Sequence, residues 1–204
     1  MLRILGRKTS SNVQKVLWCC GEIGLAFERT DVGGPFGGNK APEYLELNPN
    51  GLVPTIDEDG FVLWESNAIV RYLAAKHASG SLFPSDLKVR ADADRWMDWQ
   101  QTTVASPLGI LFRALLKRPP DAIDRTEIEA AQRRAASALA MLDARLARTK
   151  YVAGDALTMA DLALGYAPHR WLRMPIERPP LANLERWYRD LSARPAYREH
   201  VVDA

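Results

Sequence analysis

Residues 50–67 constrain the fold of this chain more than any other stretch. Residues 55–57 and 62–64 are two short strand-forming runs, and Asp59-Gly60 between them tolerates positive φ, so the segment reads as a β-hairpin. A helix should begin directly behind it. Ser66 is a good N-cap, and Ala68, Ile69, Tyr72 and Leu73 place apolar groups at helical spacing, which sets the free N–H groups of a first turn beside Glu65 and Ser66. That arrangement is suited to an anion. Just upstream, Pro54 has no N–H to give a sheet ladder and marks an edge, a turn or a cis bond at the strand start.

The residues before the hairpin supply the rest of a small α/β unit. Residues 2–5 form a short apolar run with the length of a buried strand, and Val13, Val16, Leu17, Cys20 and Ile23 recur at three and four, predicting an amphipathic helix that Gly24 ends. Residues 27–31 make a second strand, so the opening is a right-handed crossover with its two strands parallel. With a helical turn over residues 42–47, the order becomes βαβαββα, which is thioredoxin-like. Thioredoxins and glutaredoxins carry Cys-x-x-Cys where the first strand meets the first helix, because the helix N-terminus favours a thiolate. Here that junction, residues 7–15, holds Ser10, Ser11 and Asn12 and no cysteine. Taken alone, two serines before a helix are caps.

Their company gives them a second reading. The Val53-Pro54-Thr55 strand start, the hairpin and Glu65-Ser66 together resemble the glutathione-binding half of the cytosolic glutathione transferases. The resemblance implies a cis bond at Pro54, with the N–H and C=O of Val53 left to pair with the cysteinyl backbone of glutathione. It also implies that Glu65 and Ser66 hold the γ-glutamyl end. The segment from Ser11 to Lys15 is similar to the Ser-x-Pro-Cys-Arg signature of the serine-type, theta- and delta-like members, with Ser11 in the place of the catalytic serine and Lys15 in that of the arginine. A bacterial, nu-like pattern, Thr-Pro-Asn-Gly-x-Lys, aligns through the same lysine and would instead use Ser10 and Asn12. Asn39 and Lys40, at the end of a glycine-rich loop, stand where the family meets the glycine carboxylate.

Residues 78–87 have the composition of a linker, and from Lys88 onward every segment reads helical. The expected organisation is α+β: a thioredoxin-like domain over residues 1–77 and an all-helical domain over residues 88–204, the glutathione transferase fold. Trp96, Trp99, Thr103, Pro107, Leu111 and Leu115 follow one face of a long helix that Pro107 should kink and Pro119-Pro120 should end. Thr158 and Asp161 have N-cap and N3 spacing, flanked by Leu157 and Leu162 for a hydrophobic staple, and resemble the N-capping box of the family's buried sixth helix. The electrophile would lie between the domains, with Thr103, Pro107 and Trp171 as candidate wall residues.

Composition narrows the alternatives. The net charge of +2 is spread evenly, which argues against a nucleic-acid partner. With three histidines, no G-x-S-x-G and no spaced ligand set, neither a serine hydrolase nor a metal site is expected. Adjacent Cys19 and Cys20 disfavour an ordinary disulfide and read as buried small hydrophobes. No hydrophobic signal region follows Arg3 and Arg7, and no run is long enough to cross a bilayer, so a cytoplasmic protein is expected. The resemblance implies a homodimer that uses glutathione as co-substrate against a small apolar electrophile. Two other functions stay open: a glutathione-dependent peroxidase or disulfide reductase on the same site, and a non-catalytic glutathione-binding or regulatory protein.

Overall fold

The computed structural model describes residues 1–116 and 124–204, so the expected stop at Pro119-Pro120 lies outside the described residues. The chain forms two compact units, Met1–Phe83 together with Ser192–Ala204, and Pro84–Leu191. The segment 192–204, expected to close the helical domain, is therefore part of the first unit.

The first unit is a four-stranded sheet in the order β2-β1-β3-β4, made of β1 (Leu2–Leu5), β2 (Phe27–Thr30), β3 (Thr55–Glu58) and β4 (Phe61–Trp64). β1 pairs parallel with β2 and antiparallel with β3, which sets Ile4 opposite Ile56, both fully buried. β2 stops one residue earlier than expected, and Asp31 beyond it is paired with Arg29. The hairpin strands each gain a residue, because Asp59 (φ 52°) and Gly60 (φ 92°) make the whole turn between them. α1 (Ser11–Ile23) ends at Gly24, whose φ of 65° is left-handed and whose N–H reaches back to Cys20 and Gly21. α1 packs against α3 (Ser66–His77), and Val16, Leu17, Ile69 and Leu73 are buried. α2 (Pro42–Leu47) precedes the hairpin.

Ser66 is not the N-cap of α3. Glu65 carries the non-helical angles, φ 71° and ψ 109°, because the helix starts immediately where β4 stops, and Ser66 becomes its first residue. The segment 192–204 adds the turn α10 (Pro195–Tyr197) and a further π turn, Arg198–Val202. The Tyr197 ring stands edge-on to Trp18 of α1 with centroids 4.8 Å apart, and Arg194 Nε donates to Glu22 Oε1 over 2.7 Å.

The second unit is all helical among its described residues. α4 (Leu87–Trp99) starts at Asp86, whose carboxylate accepts from the N–H groups of Lys88 and Val89, and runs through a π turn, Gln100–Val104, into α5 (Ala105–Leu116). Pro107 has no N–H for the carbonyl four residues back, and one turn earlier the ladder steps out to Ala105 N–H on Gln100 O. The expected kink thus takes the form of a π turn. α6 (Arg125–Leu146) buries Ala131, Ala135, Leu139, Leu142 and Leu146. α7 (Met159–Leu164), α8 (Tyr166–Arg173) and α9 (Ala182–Ser192) follow. No helix among the described residues is long and apolar enough to cross a membrane.

The capping box at Thr158 and Asp161 is present. Asp161 is fully buried and does more than cap, since its oxygens accept from Thr158 N–H (2.9 Å), Val152 N–H (3.0 Å) and the Trp187 indole (3.1 Å). It joins the loop before α7, the start of α7 and the middle of α9.

Candidate functional site

The site is assembled on the first unit where β1 gives way to α1. Ser10 is the N-cap of α1 with extended backbone angles, yet its hydroxyl makes no cap bond. Ser11, half-buried, is the first helical residue, and Asn12 is exposed. Ser11 and Lys15 are four apart and share one face. Lys15 shows where that face looks: it is buried, with Nζ 3.2 Å from Asn67 Oδ1 and 3.4 Å from Ser66 Oγ in the first turn of α3. The serine pair and the Glu65-Ser66 pair are thereby brought to neighbouring helix starts.

Val53 reaches the same place from the other side. A Cβ on Gly6, at the end of β1, would lie 2.6 Å from Val13 Cγ2 and 3.3 Å from Val53 Cβ, so only glycine lets the strand end, the start of α1 and Val53 meet. The Val53-Pro54 bond is cis. Among the described residues the backbone N–H and C=O of Val53 enter no hydrogen bond. The loop on either side is pinned. Tyr44 and Asn48 both bond the Leu52 carbonyl and the Thr55 hydroxyl, with the Tyr44 hydroxyl 2.9 Å from Thr55 Oγ1 and Asn48 Nδ2 2.8 Å from Leu52 O. Burial raises the Tyr44 phenol above its usual pKa, consistent with a fixed neutral donor. These contacts at Leu52 and Thr55 depend on a tertiary approach that no local sequence pattern records.

Asn39 and Lys40 close over the same loop. Asn39 Nδ2 donates to Gly51 O over 2.8 Å and Lys40 Nζ to Asn50 O over 3.2 Å, so both candidates for the glycine carboxylate stand beside Val53's own loop. Glu65 is exposed, Ser66 and Asn67 are buried, and the N–H groups of α3 open beside them. Helix N–H groups, a buried ammonium and a hydroxyl supply donors here, and the exposed Glu65 carboxylate beside them supplies an acceptor. This surface suits a peptide-like ligand with an anionic end.

The candidate wall residues separate. Thr103 is exposed and Pro107 buried, and both line a cavity of about 480 Å³ within the second unit, with Thr102, Ser106, Arg134 and Met141. Trp171 is not part of it. The indole lies in the core of the second unit at 1% exposure, and its carbonyl accepts from Arg178 over 2.8 Å. Cys19 and Cys20 are both buried, and burial pushes the Cys20 thiol up to about 12 and Cys19 up as well, so neither supplies a thiolate near neutral pH. Among the described residues no group of three or more His, Cys, Asp or Glu could hold a metal ion.

A thioredoxin-like sheet with a cis-proline at the strand start, two helix starts linked through Lys15, and a separate helical unit define a class of protein. The chain belongs to the glutathione S-transferase family: residues 9–76 match the model of its N-terminal domain and residues 104–195 that of its C-terminal domain. Within it, the chain is 38% identical over 204 residues to glutathione S-transferase GstB of Escherichia coli strain K12, covering 99% of this chain and 98% of that protein. It is 34% identical to glutathione S-transferase 3 of Zea mays, over 98% and 93% of the two chains. Among solved structures, a theta class glutathione S-transferase from Xanthomonas axonopodis pv. citri with glutathione bound superposes with a TM-score of 0.95 at 47% identity, covering 100% of this chain and 98% of that one.

Proposed function

We propose that this chain is a glutathione transferase in which Ser11 activates the glutathione thiol for attack on a small apolar electrophile. The observation that carries the reading is the convergence, on one unit, of the Ser11–Lys15 face, the Val53 backbone and the first turn of α3. In this reading Val53 pairs with the cysteinyl backbone, Glu65 and Ser66 hold the γ-glutamyl end, and Asn39 and Lys40 meet the glycine carboxylate. Ser10 and Asn12 flank the thiol.

A free thiol with a pKa of about 8.5 is only a few per cent ionised at neutral pH, and lowering it by two units takes roughly 2.7 kcal/mol of preference for the anion. A serine hydroxyl is no base at that pH. It donates a hydrogen bond to the thiolate, and the start of α1 adds a field of the same sign. The sulfur then forms its bond to the electrophile as the leaving group departs with the electron pair. Thr103 and Pro107 are proposed for the electrophile, while Trp171 is assigned to the core.

The test is calorimetric binding of glutathione to wild type and Ser11→Ala, with thiolate absorbance followed as pH is raised. A bound thiol pKa well below the free value in wild type, returned toward it in Ser11→Ala with turnover reduced about tenfold or more, is expected. Unchanged turnover in Ser11→Ala moves the role to Ser10 or Asn12. The peroxidase, reductase and binding-only readings are not favoured by the named relatives. A cytoplasmic homodimer completes the proposal. The dimer is supported by β4 being an edge strand of the sheet with Phe61 and Trp64 exposed at its two ends, and sedimentation at micromolar concentration checks it.

A further inference from the structure

We infer that Lys15 is a positioning residue that takes the acceptor oxygens of Ser66 and Asn67, leaves their donors for the ligand, and so selects an α-carboxylate at the γ-glutamyl end. The inference rests on the glutathione reading of the site and names a determinant within it. Lys15 is 3% exposed, and a lysine so far from water is uncommon, because an ammonium leaves its hydration behind. Four residues after Ser11, it reaches α3, where Nζ lies 3.2 Å from Asn67 Oδ1 and 3.4 Å from Ser66 Oγ.

An ammonium has three donors and no acceptor, so it determines which way its neighbours face. The Asn67 amide can meet it only through oxygen, which turns the amide NH₂ the other way. The Ser66 hydroxyl offers it a lone pair and keeps its single hydrogen for another partner. Glu65 precedes both residues, and the first-turn N–H groups of α3, which no carbonyl of the helix itself serves, lie with them. With Lys15 in place, hydroxyl, helix N–H groups and buried charge all favour a negative oxygen on the ligand. Without it, Ser66 and Asn67 could each present an acceptor, and the preference for a carboxylate would fall.

The experiment measures binding by calorimetry of two ligands, glutathione and its analogue in which the γ-glutamyl α-carboxylate is a carboxamide, to wild type, Lys15→Met and Lys15→Arg. The ratio of the two affinities is the readout, since a residue that only packs would weaken both alike. The expected result is that Lys15→Met lowers the ratio by about tenfold or more, that Lys15→Arg recovers most of it, and that kcat at saturating glutathione changes far less than KM. Lys15→Gln, which keeps amide donors without charge, carries the same comparison if Lys15→Met does not fold. An unchanged ratio in folded Lys15→Met, with wild type binding glutathione, overturns the inference alone. Wild type that binds neither ligand overturns the reading of the site and the inference with it.

Discussion

Asp161 shows what one buried carboxyl can do to a stability profile. Three N–H groups and the Thr158 hydroxyl point at its oxygens, which favours the ionised form, but complete burial outweighs them and lifts its pKa from 3.8 to about 6. The sign is therefore opposite to that of an ordinary paired carboxylate. The folded protein binds the proton more tightly than the unfolded chain, so this stabilisation is full below about pH 4 and is lost as pH rises through about 6, by roughly 3 kcal/mol in all. Urea unfolding of wild type and Asp161→Asn at a series of pH values checks it. The margin of wild type over the variant should shrink between pH 4 and pH 7, and a margin that grows would show that the four donors dominate. At the same scale, Cys19 and Cys20 were legible as buried thiols because adjacency and helical spacing are local facts. The burial of Lys15 was not legible, since a lysine at the start of an amphipathic helix ordinarily reaches water, and only the approach of α3 removes it.

Elements whose ends obey local rules were read well. The hairpin, the capping box before α7 and the Gly24 stop all follow from a few neighbouring residues whose backbone angles decide the outcome. Gly24 allows a clean measurement. Its φ is 65° and a Cβ there would meet nothing within 4 Å, so Gly24→Ala carries only the conformational cost, about 1 kcal/mol by chemical denaturation, and Gly24→Asn should cost less. A loss of several kcal/mol would mean that the turn does more than end the helix. The features misread are those set by an element's surroundings. Ser66 has the chemistry of a cap, but β4 feeds α3 without an intervening residue, and Glu65 takes the strained position. Pro107 promised a kink, and the helix absorbed the missing N–H by widening one turn. Trp171 suggested a wall residue by type, whereas α8 turns it inward with Ala167 and buries both. Of the proposed site, Ser11, Val53, Glu65 and Ser66 form a pattern in their order along the chain, whereas the Tyr44–Asn48 brace leaves none, because it exists only once α2 folds back on the loop.

The molecule as a whole does not divide where its sequence changes character. Residues 192–204 return to the first unit, where Tyr197 is fully buried against Trp18 and Arg194 meets Glu22. Tyr197→Ala should therefore unfold the thioredoxin-like unit by roughly 3–5 kcal/mol and weaken glutathione binding measured near the midpoint, although position 197 is far in sequence from every proposed contact. Unchanged binding and stability would mean that α1 holds its place unaided. A ribosome releases Met1–Phe83 long before residue 197, so the face of α1 around Trp18 emerges without its cover and keeps waiting while the entire helical unit is made. Of the two units, the one whose synthesis begins earlier is the one completed later, and a chaperone that shields apolar nascent segments has its longer task there.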